Sequence, residues 1–502
     1  MRRTAFSWQR RVMIESAGSL SDLLTAHPFS DGEDLINTVD RPVTAGAARA
    51  EAARISTQLR SARVEPGQAV VVQLPNGPEF VLAMFGVWLA GAVFVPANAR
   101  QPQAELDHVL ASTAPACVIN SSGIEVSTVS PALYETDTAF VTWTSGTTGR
   151  PKPILQTHSG YLELLDRVLG PLRGRPADPA RPPTPNLVPV SLALNAGIYN
   201  VLFGLRAGAS LVLMDRFGTA EFAMLVRRFS IRSTVLPPAA MVMLADDVTV
   251  ADLTPLRYVR SITAPLSPLA ARRFTEKFGV IVLNGYGQAE IGEVIGWTAG
   301  DARDHPEKIG AVGRPHPGVA IKVVAEDGSA APVDTVGELL VKPPRMASGY
   351  AGGETLDDRL DLDGYVRTGD FARIDSDAFV WIEGRVGDVI NRGGNKIFPG
   401  QVEEVLLLSP GVREAAVVGL PDERLGEVPV AFVVGDASDV ELDQLCREHL
   451  VAYKIPVAFR HVDALPRSEV GKVLRRELVG MGAGSESNVS GRGSGQTTGT
   501  EL

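Results

Sequence analysis

The sequence predicts an α/β protein: a large N-terminal domain of helix-covered sheets with a small β-rich subdomain, followed by a mobile C-terminal α+β domain. Three observations lead there. Apolar, strand-like runs alternate with helix-like segments from about residue 15 to 380, the rhythm of parallel sheets covered by helices. Between 310 and 384 that rhythm gives way to short strands and turns, and from 391 to 480 a compact mixture of helices and strands follows. A chain of 502 residues is long enough for roughly three compact units of about 150 residues each.

Taken in order, the N-terminal "MRRTAFSWQRRVMI" is basic but lacks the apolar core of an export signal. The runs "AVVVQL", "AVFVP", "ACVIN", "TAFVTW", "NLVPV", "ASLVLM", "STVLP" and "VIVLNGYG" are β-branched and apolar, as buried strands are. The longest uncharged run, "VLAMFGVWLAGAVFVP" (81–96), is shorter than the ~20 residues of a membrane span; it reads as a core helix turning into a core strand. Short strands "IKVVAEDGSA", "GELLVKPP" and "FARIDSDAFVWIEG" mark the β-rich subdomain. The Gly- and charge-rich "GRVGDVINRGG" (384–394) is the expected hinge. Beyond it "PGQVEEVLLL" and "ELDQLCREHLV" read as helices, "REAAVVGL" and "VPVAFVV" as strands. The expected domains are therefore 15–385 and 386–482, with 483–502, rich in Gly, Ser and Thr, as a disordered tail.

Composition narrows the function. With 45% hydrophobic and 21% charged residues the chain belongs among soluble globular proteins, and a net charge of −10 disfavours nucleic acid or an anionic membrane as partner. Its 2 cysteines, Cys117 and Cys446, form no C-x-x-C pair, so neither a disulfide scaffold nor a zinc site is indicated and a reducing cytoplasm fits. None of the 7 histidines are paired at i, i+4, which weakens any transition-metal reading.

Chemistry first shows in "TSGTTGRPKP" (144–153), directly after a buried strand. Gly146 and Gly149 let successive amides point into one concavity, Ser145, Thr147 and Thr148 add hydroxyls, and Lys152 adds a mobile charge, all suited to phosphate oxygens. Alone, such a loop is more often a plain polar turn. The phosphate loop of the common nucleotide hydrolases opens straight into a helix, whereas Pro151, Pro153 and the extended "ILQTH" make this one strand, loop, strand. Four further places keep it company. "NGYGQAE" (284–290) reads as a Gly-Tyr-Gly turn after a strand, offering an aromatic ring for a purine and a carboxylate, Glu290, for Mg2+. "GYVRTGD" and "GRVGD" offer Asp370 and Arg385, residue types that bind ribose hydroxyls, and "PRSEVGKVLRREL" sets Lys472 in a turn entering a helix. Each has a bland alternative as turn, exposed acid or ion pair; their ordered combination does not.

This series resembles the acyl-adenylate-forming superfamily of acyl-CoA synthetases, luciferases and peptide-synthetase adenylation domains, over nearly the whole chain and in family order. "GAVFVPANAR", "TAPLSP", "VVGLPDERLGEVPVAFVV" and "YKIP" add agreement. The resemblance implies that a carboxylic acid attacks ATP to give acyl-AMP and pyrophosphate, after which a thiol, that of CoA, takes the acyl group. It implies phosphate contacts from Thr144, Ser145, Gly146, Thr147, Thr148, Gly149 and Lys152, and Mg2+ on Glu290. Adenine would be framed by Thr263, Ala264, Pro265, Gly285, Tyr286 and Gly287, with ribose on Asp370 and Arg385. Lys472 would bridge carboxylate and α-phosphate, and Asp388 would be the hinge that withdraws it and brings Gly393, Gly394 and Lys396 to the thiol tunnel. Leu194, Asn195 and Gly197 of "SLALNAG" would border the acyl group, and the absence of an acid from this segment speaks against an amino acid and for a fatty, aryl or alicyclic acid. The departures are Pro153 for the usual Gly, Ala289 for the usual Thr, and Leu194 where many acyl-CoA synthetases carry His or an aromatic residue. Two alternatives stand beside the CoA ligase: a ligase loading an acyl carrier protein, and a nucleotide-binding homologue with impaired catalysis. The resemblance allows a homodimer.

Overall fold

The computed structural model describes residues 17–144, 152–172, 184–262, 264–467 and 473–483. The chain divides into two compact units: 1–335 with 339–368 and 374–381, and 336–338 with 369–373 and 382–502.

Two large sheets build the first unit. Among the described residues one has nine strands and the other seven. In the seven-stranded sheet Ala69–Val72 and Val93–Pro96 are buried at every position, as strands covered by helices on both faces must be. They pair parallel in register from Ala69 against Val93 to Val72 against Pro96. In the nine-stranded sheet Asp34–Asn37, Leu211–Leu213, Asn186–Val188, Ser233–Val235, Tyr258–Ser261 and Ile281–Gln288 likewise run parallel. The helix-covered sheets also carry antiparallel pairs toward their edges. Cys117–Asn120 with Gly123–Val126, Thr138–Thr144 with Lys152–Thr157, and Ile281–Gln288 with Gly292–Gly296 are antiparallel hairpins, because their short links leave no room for a crossover helix.

The principal core includes the helices Ala45–Ser61, Pro78–Leu89, His158–Leu169 and Asn195–Arg206 together with residues of both sheets. Pro78–Leu89 is apolar almost all round, with ten buried residues, which explains the long uncharged run. The Trp88 indole N–H donates to the Ala139 carbonyl at 2.8 Å, fastening this helix to the strand that leads to the Gly-rich loop. A second core holds Pro238–Asp246 and Pro268–Phe278 on the nine-stranded sheet. Among the described residues no helix is long and apolar enough to cross a membrane.

In the second unit the long hairpin Val412–Asp422 with Gly426–Gly435 is the backbone of a sheet with apolar clusters on both faces. Ser438 caps Asp439–His449 in a reciprocal capping box with Glu441. Gly393 and Gly394, at φ 56° and 86°, make the two-residue turn between Ile390–Arg392 and Asn395–Ile397. Both positions lie in the left-handed region, where glycine is at home.

Candidate active site

The strand Thr138–Thr144 leaves the core and Lys152–Thr157 returns beside it, with Trp143 opposite Pro153 and Thr144 opposite Lys152. Pro153 therefore sits inside a regular ladder, and its carbonyl accepts from the Ala351 N–H at 2.9 Å. Ser145, Gly146, Thr147, Thr148 and Gly149 lie outside the described residues. Lys152 donates to Glu354 at 2.8 Å and stands 5.2 Å from the centre of the Tyr350 ring. Both partners of that ion pair are well exposed, at 44% and 67%. Such pairs are worth about 1 kcal/mol or less, little enough for a phosphate to exchange for Glu354.

The Gly-Tyr-Gly expected as a turn is instead strand. Ile281–Gln288 runs parallel to Tyr258–Ser261 as far as Asn284 and then antiparallel to Gly292–Gly296. Its glycines serve close approach: a Cβ on Gly287 would lie 2.2 Å from the Gly292 carbonyl oxygen. The actual turn is at 289–291, and it presents Glu290. Thr263 is outside the described residues; Ala264 and the exposed Pro265 lie between Tyr258–Ser261 and the helix Pro268–Phe278.

Glu290 is buried, yet only one of its oxygens is engaged among the described residues. Oε1 accepts from Arg359 Nη1 at 2.9 Å and from the Tyr350 hydroxyl at 3.3 Å. Arg359 Nη2 donates to Gln288 Oε1 at 2.7 Å and to the Arg367 carbonyl at 3.0 Å. Gln288 Nε2 donates in turn to the Thr368 carbonyl at 2.8 Å and to the Tyr286 hydroxyl at 3.3 Å. From the other side, Gln156 Nε2 donates to the Ala289 carbonyl at 2.7 Å. Arg359 thus ties the turn bearing Glu290 to the strand bearing "RTGD". The contact was not foreseeable from motifs, since the partners are 69 residues apart; the unassigned basic residue in "LDDRLDLDG" was the one sequence signal.

Mg2+ fits here. Glu290 Oε2 has no partner among the described residues, and no group of three or more His, Cys, Asp or Glu side chains able to hold a metal occurs among the described residues. An ion held by one carboxylate and completed by phosphate oxygens and water is the ordinary arrangement for Mg2+ with a nucleotide.

Near the expected acyl region, Leu194 precedes the helix Asn195–Arg206 in extended conformation. Asn195 Oδ1 accepts from the Tyr161 hydroxyl at 2.9 Å. Gly197 has no room for a side chain, since its Cβ would lie 2.1 Å from the Ser191 carbonyl oxygen. One turn on, the Tyr199 hydroxyl donates to Glu293 Oε2 at 3.3 Å. Glu293 also accepts from Arg260 Nη2 and sits 3.1 Å from His316 Nε2. Burial opposes the Glu293 charge, but Arg260 and the hydrogen bonds from His316 and Tyr199 outweigh it and hold the carboxyl well below the usual carboxylate range. Sequence reasoning missed this cluster entirely.

In the second unit Asp370 and Arg385, both expected at ribose, are 3.3 Å apart as an ion pair, the acid buried and the base 38% exposed. The expected hinge residue Asp388 lies 3.8 Å from Arg475 Nε, and Arg475 Nη1 donates to Glu403 Oε1 at 2.6 Å. Lys396 stands 5.0 Å from the centre of the Phe371 ring, next to the exposed Gly393–Gly394 turn. Lys472 lies outside the described residues, and the helix Arg475–Ala483 begins three residues later.

A family model described as AMP-binding enzyme matches residues 26–132 and 124–351, and one described as AMP-binding enzyme C-terminal domain matches 401–472. The chain is 31% identical over 509 aligned residues to 4-coumarate–CoA ligase-like 9 of Oryza sativa subsp. japonica, covering 90% of each. It is 29% identical over 481 residues to the sulfoacetate–CoA ligase of Cupriavidus necator, covering 87% of this chain and 92% of that one. Among solved structures, ATP-bound MatB from Rhodopseudomonas palustris superposes with a TM-score of 0.82 at 23% identity, over 92% of this chain and 98% of that chain. At that identity the likeness speaks for the fold.

Proposed function

The chain belongs to the AMP-binding enzyme family, and on that premise we propose how its own residues serve the reaction. It is an AMP-forming acid–thiol ligase. A carboxylate oxygen of the acid attacks the α-phosphorus of ATP and pyrophosphate leaves; the thiol of CoA then attacks the acyl carbon of acyl-AMP and AMP leaves. The first step brings two anions together, so alignment and charge neutralisation dominate the barrier.

The loop from Thr144 to Lys152 grips the outer phosphates, with Lys152 exchanging its weak surface pair for them. Glu290 would hold Mg2+, which when bound would supply charge neutralisation on the triphosphate. Arg359 and Tyr350 fix the other oxygen of that carboxylate and so its direction. Tyr286, with the 263–265 segment, frames adenine; Asp370 and Arg385 bind ribose, their ion pair already aligning both groups. Lys472 bridges the attacking carboxylate and the α-phosphate. The C-terminal domain turns at Asp388 between the half-reactions, presenting Gly393, Gly394 and Lys396 to the thiol.

The single observation that supports this reading best is the half-engaged Glu290, held in a tight turn within the residues that match the AMP-binding enzyme model. The test is pyrophosphate release from ATP across a panel of acids, followed by acyl transfer to CoA or to a phosphopantetheinylated carrier protein. Acid-dependent release with transfer to CoA is expected, and Lys472→Ala should slow release by about 10²- to 10³-fold. ATP bound without release for any acid would favour an impaired homologue. Transfer to the carrier protein alone would reassign the acceptor.

A further inference from the structure

None of Glu293, Arg260, Tyr199 and His316 has a part in the adenylation steps proposed for this chain, yet they form one buried cluster. Tyr199 stands four residues after Asn195 on the helix Asn195–Arg206, so both project from one face of it. Arg260 lies in Tyr258–Ser261, opposite Leu283 of the strand that carries the Tyr286 motif. Glu293 pairs with Gly287 of that same strand. Two glycines make room for the cluster. A Cβ on Gly296 would come within 2.9 Å of both Glu293 Oε1 and His316 Cε1, and one on Gly285 within 3.2 Å of Glu293 Oε1.

The cluster is saturated on its acidic side and open on its basic side. Glu293 has three partners and is 8% exposed. Arg260 carries five N–H groups, of which one is used among the described residues, in the bond to Glu293, while 15% of its side chain remains accessible. Its charge is matched by Glu293. The neighbouring Arg167 supplies no spare charge either, since it is 1% exposed and 3.3 Å from Glu163. What the site offers an incoming group is therefore hydrogen-bond donors without net charge.

We infer that Arg260, set by Glu293, His316 and Tyr199, is the specificity residue of the acyl site, and that it selects carboxylic acids bearing a neutral hydrogen-bond acceptor, a ketone or hydroxyl, in the half remote from the reacting carboxyl. The inference rests on the reading that the helix Asn195–Arg206 borders the acyl group. A purely apolar tail covers the Arg260 donors without pairing them, and a site built to hydrogen-bond penalises a ligand that lacks the partner. A second carboxylate would bring a negative charge beside Glu293 with no unmatched cation to receive it.

The test compares octanoate with the oxo-octanoates bearing a ketone in the distal half of the chain, and with octanedioate. Acid affinity is read by calorimetry and adenylation separately by pyrophosphate release. At least one oxo acid should bind, and be turned over by kcat/KM, about tenfold better than octanoate. Arg260→Met paired with Glu293→Gln, which leaves no unpartnered buried charge, should erase that advantage, so that octanoate binds at least as well as every oxo acid. Equal treatment of octanoate and every oxo acid overturns the inference, and so does a preference for octanedioate or an oxo advantage that survives the double variant. Preferential oxo-acid binding without pyrophosphate release upholds it and counts against the adenylation reading alone.

Discussion

Glu290 and Glu293 are three residues apart, both buried, and both beside an arginine, yet their carboxylates are bonded differently. Glu293 has its carboxylate filled by Arg260, Tyr199 and His316. Glu290 has Arg359 and Tyr350 on one oxygen and none among the described residues on the other. A saturated carboxylate has no lone pairs to spare; a half-saturated one keeps the capacity to accept another partner. Partner count per oxygen, and not burial or the presence of a cation, separates the two.

The sharpest way to break that contrast is to remove each acid in turn. Glu293→Leu leaves the Arg260 guanidinium buried without its counter-ion and should cost about 3–5 kcal/mol of stability, measured by urea unfolding. A loss below about 1 kcal/mol would mean that the cluster is solvated. Glu290→Ala should do the reverse, lowering adenylation by about 10²- to 10³-fold while the urea midpoint hardly moves. Unchanged pyrophosphate release in this variant would remove Glu290 from the chemistry.

Acid titration sharpens the same comparison. Because the folded-state pKa of Glu293 is depressed from an ordinary 4.5, its contribution to stability is fully present above that pH. It is lost as pH falls from 4.5 toward the depressed value. Urea unfolding at several pH values should therefore show a decline below pH 4.5 that is shallower in Glu293→Gln; identical slopes would contradict the assignment. The smallest effect is expected from Arg359→Met, which frees Glu290 Oε1. Its half-activating Mg2+ concentration should fall roughly two- to fivefold, because a competing cation is gone. Maximal rate should drop by up to about tenfold, because the carboxylate is no longer oriented. An unchanged Mg2+ dependence would show that Arg359 does not bear on the metal.

What sequence made legible follows the same division between local and distant causes. "AVVVQL" and "AVFVP" announced themselves because strands covered on both faces are apolar at successive positions. The motif that holds Glu290 stands out because it is contiguous. The bond from Arg359 to Glu290 does not, its partners being 69 residues apart, nor does the Arg260–Glu293 pair, separated by 33. Gly285 and Gly287 misled because glycine was read as a chain breaker, whereas here it admits a neighbouring carboxylate and a neighbouring backbone. A pattern of types along the chain shows what is local; ion pairs closed by the fold do not register in it.

The most direct measurement is acid-dependent exchange of labelled pyrophosphate into ATP, with wild type, Glu290→Ala and Glu293→Gln side by side. Exchange is expected in wild type with at least one carboxylic acid, with near loss in Glu290→Ala in a protein that stays folded and survival in Glu293→Gln. Exchange that ignores Glu290, or that no acid supports in wild type, would contradict this expectation.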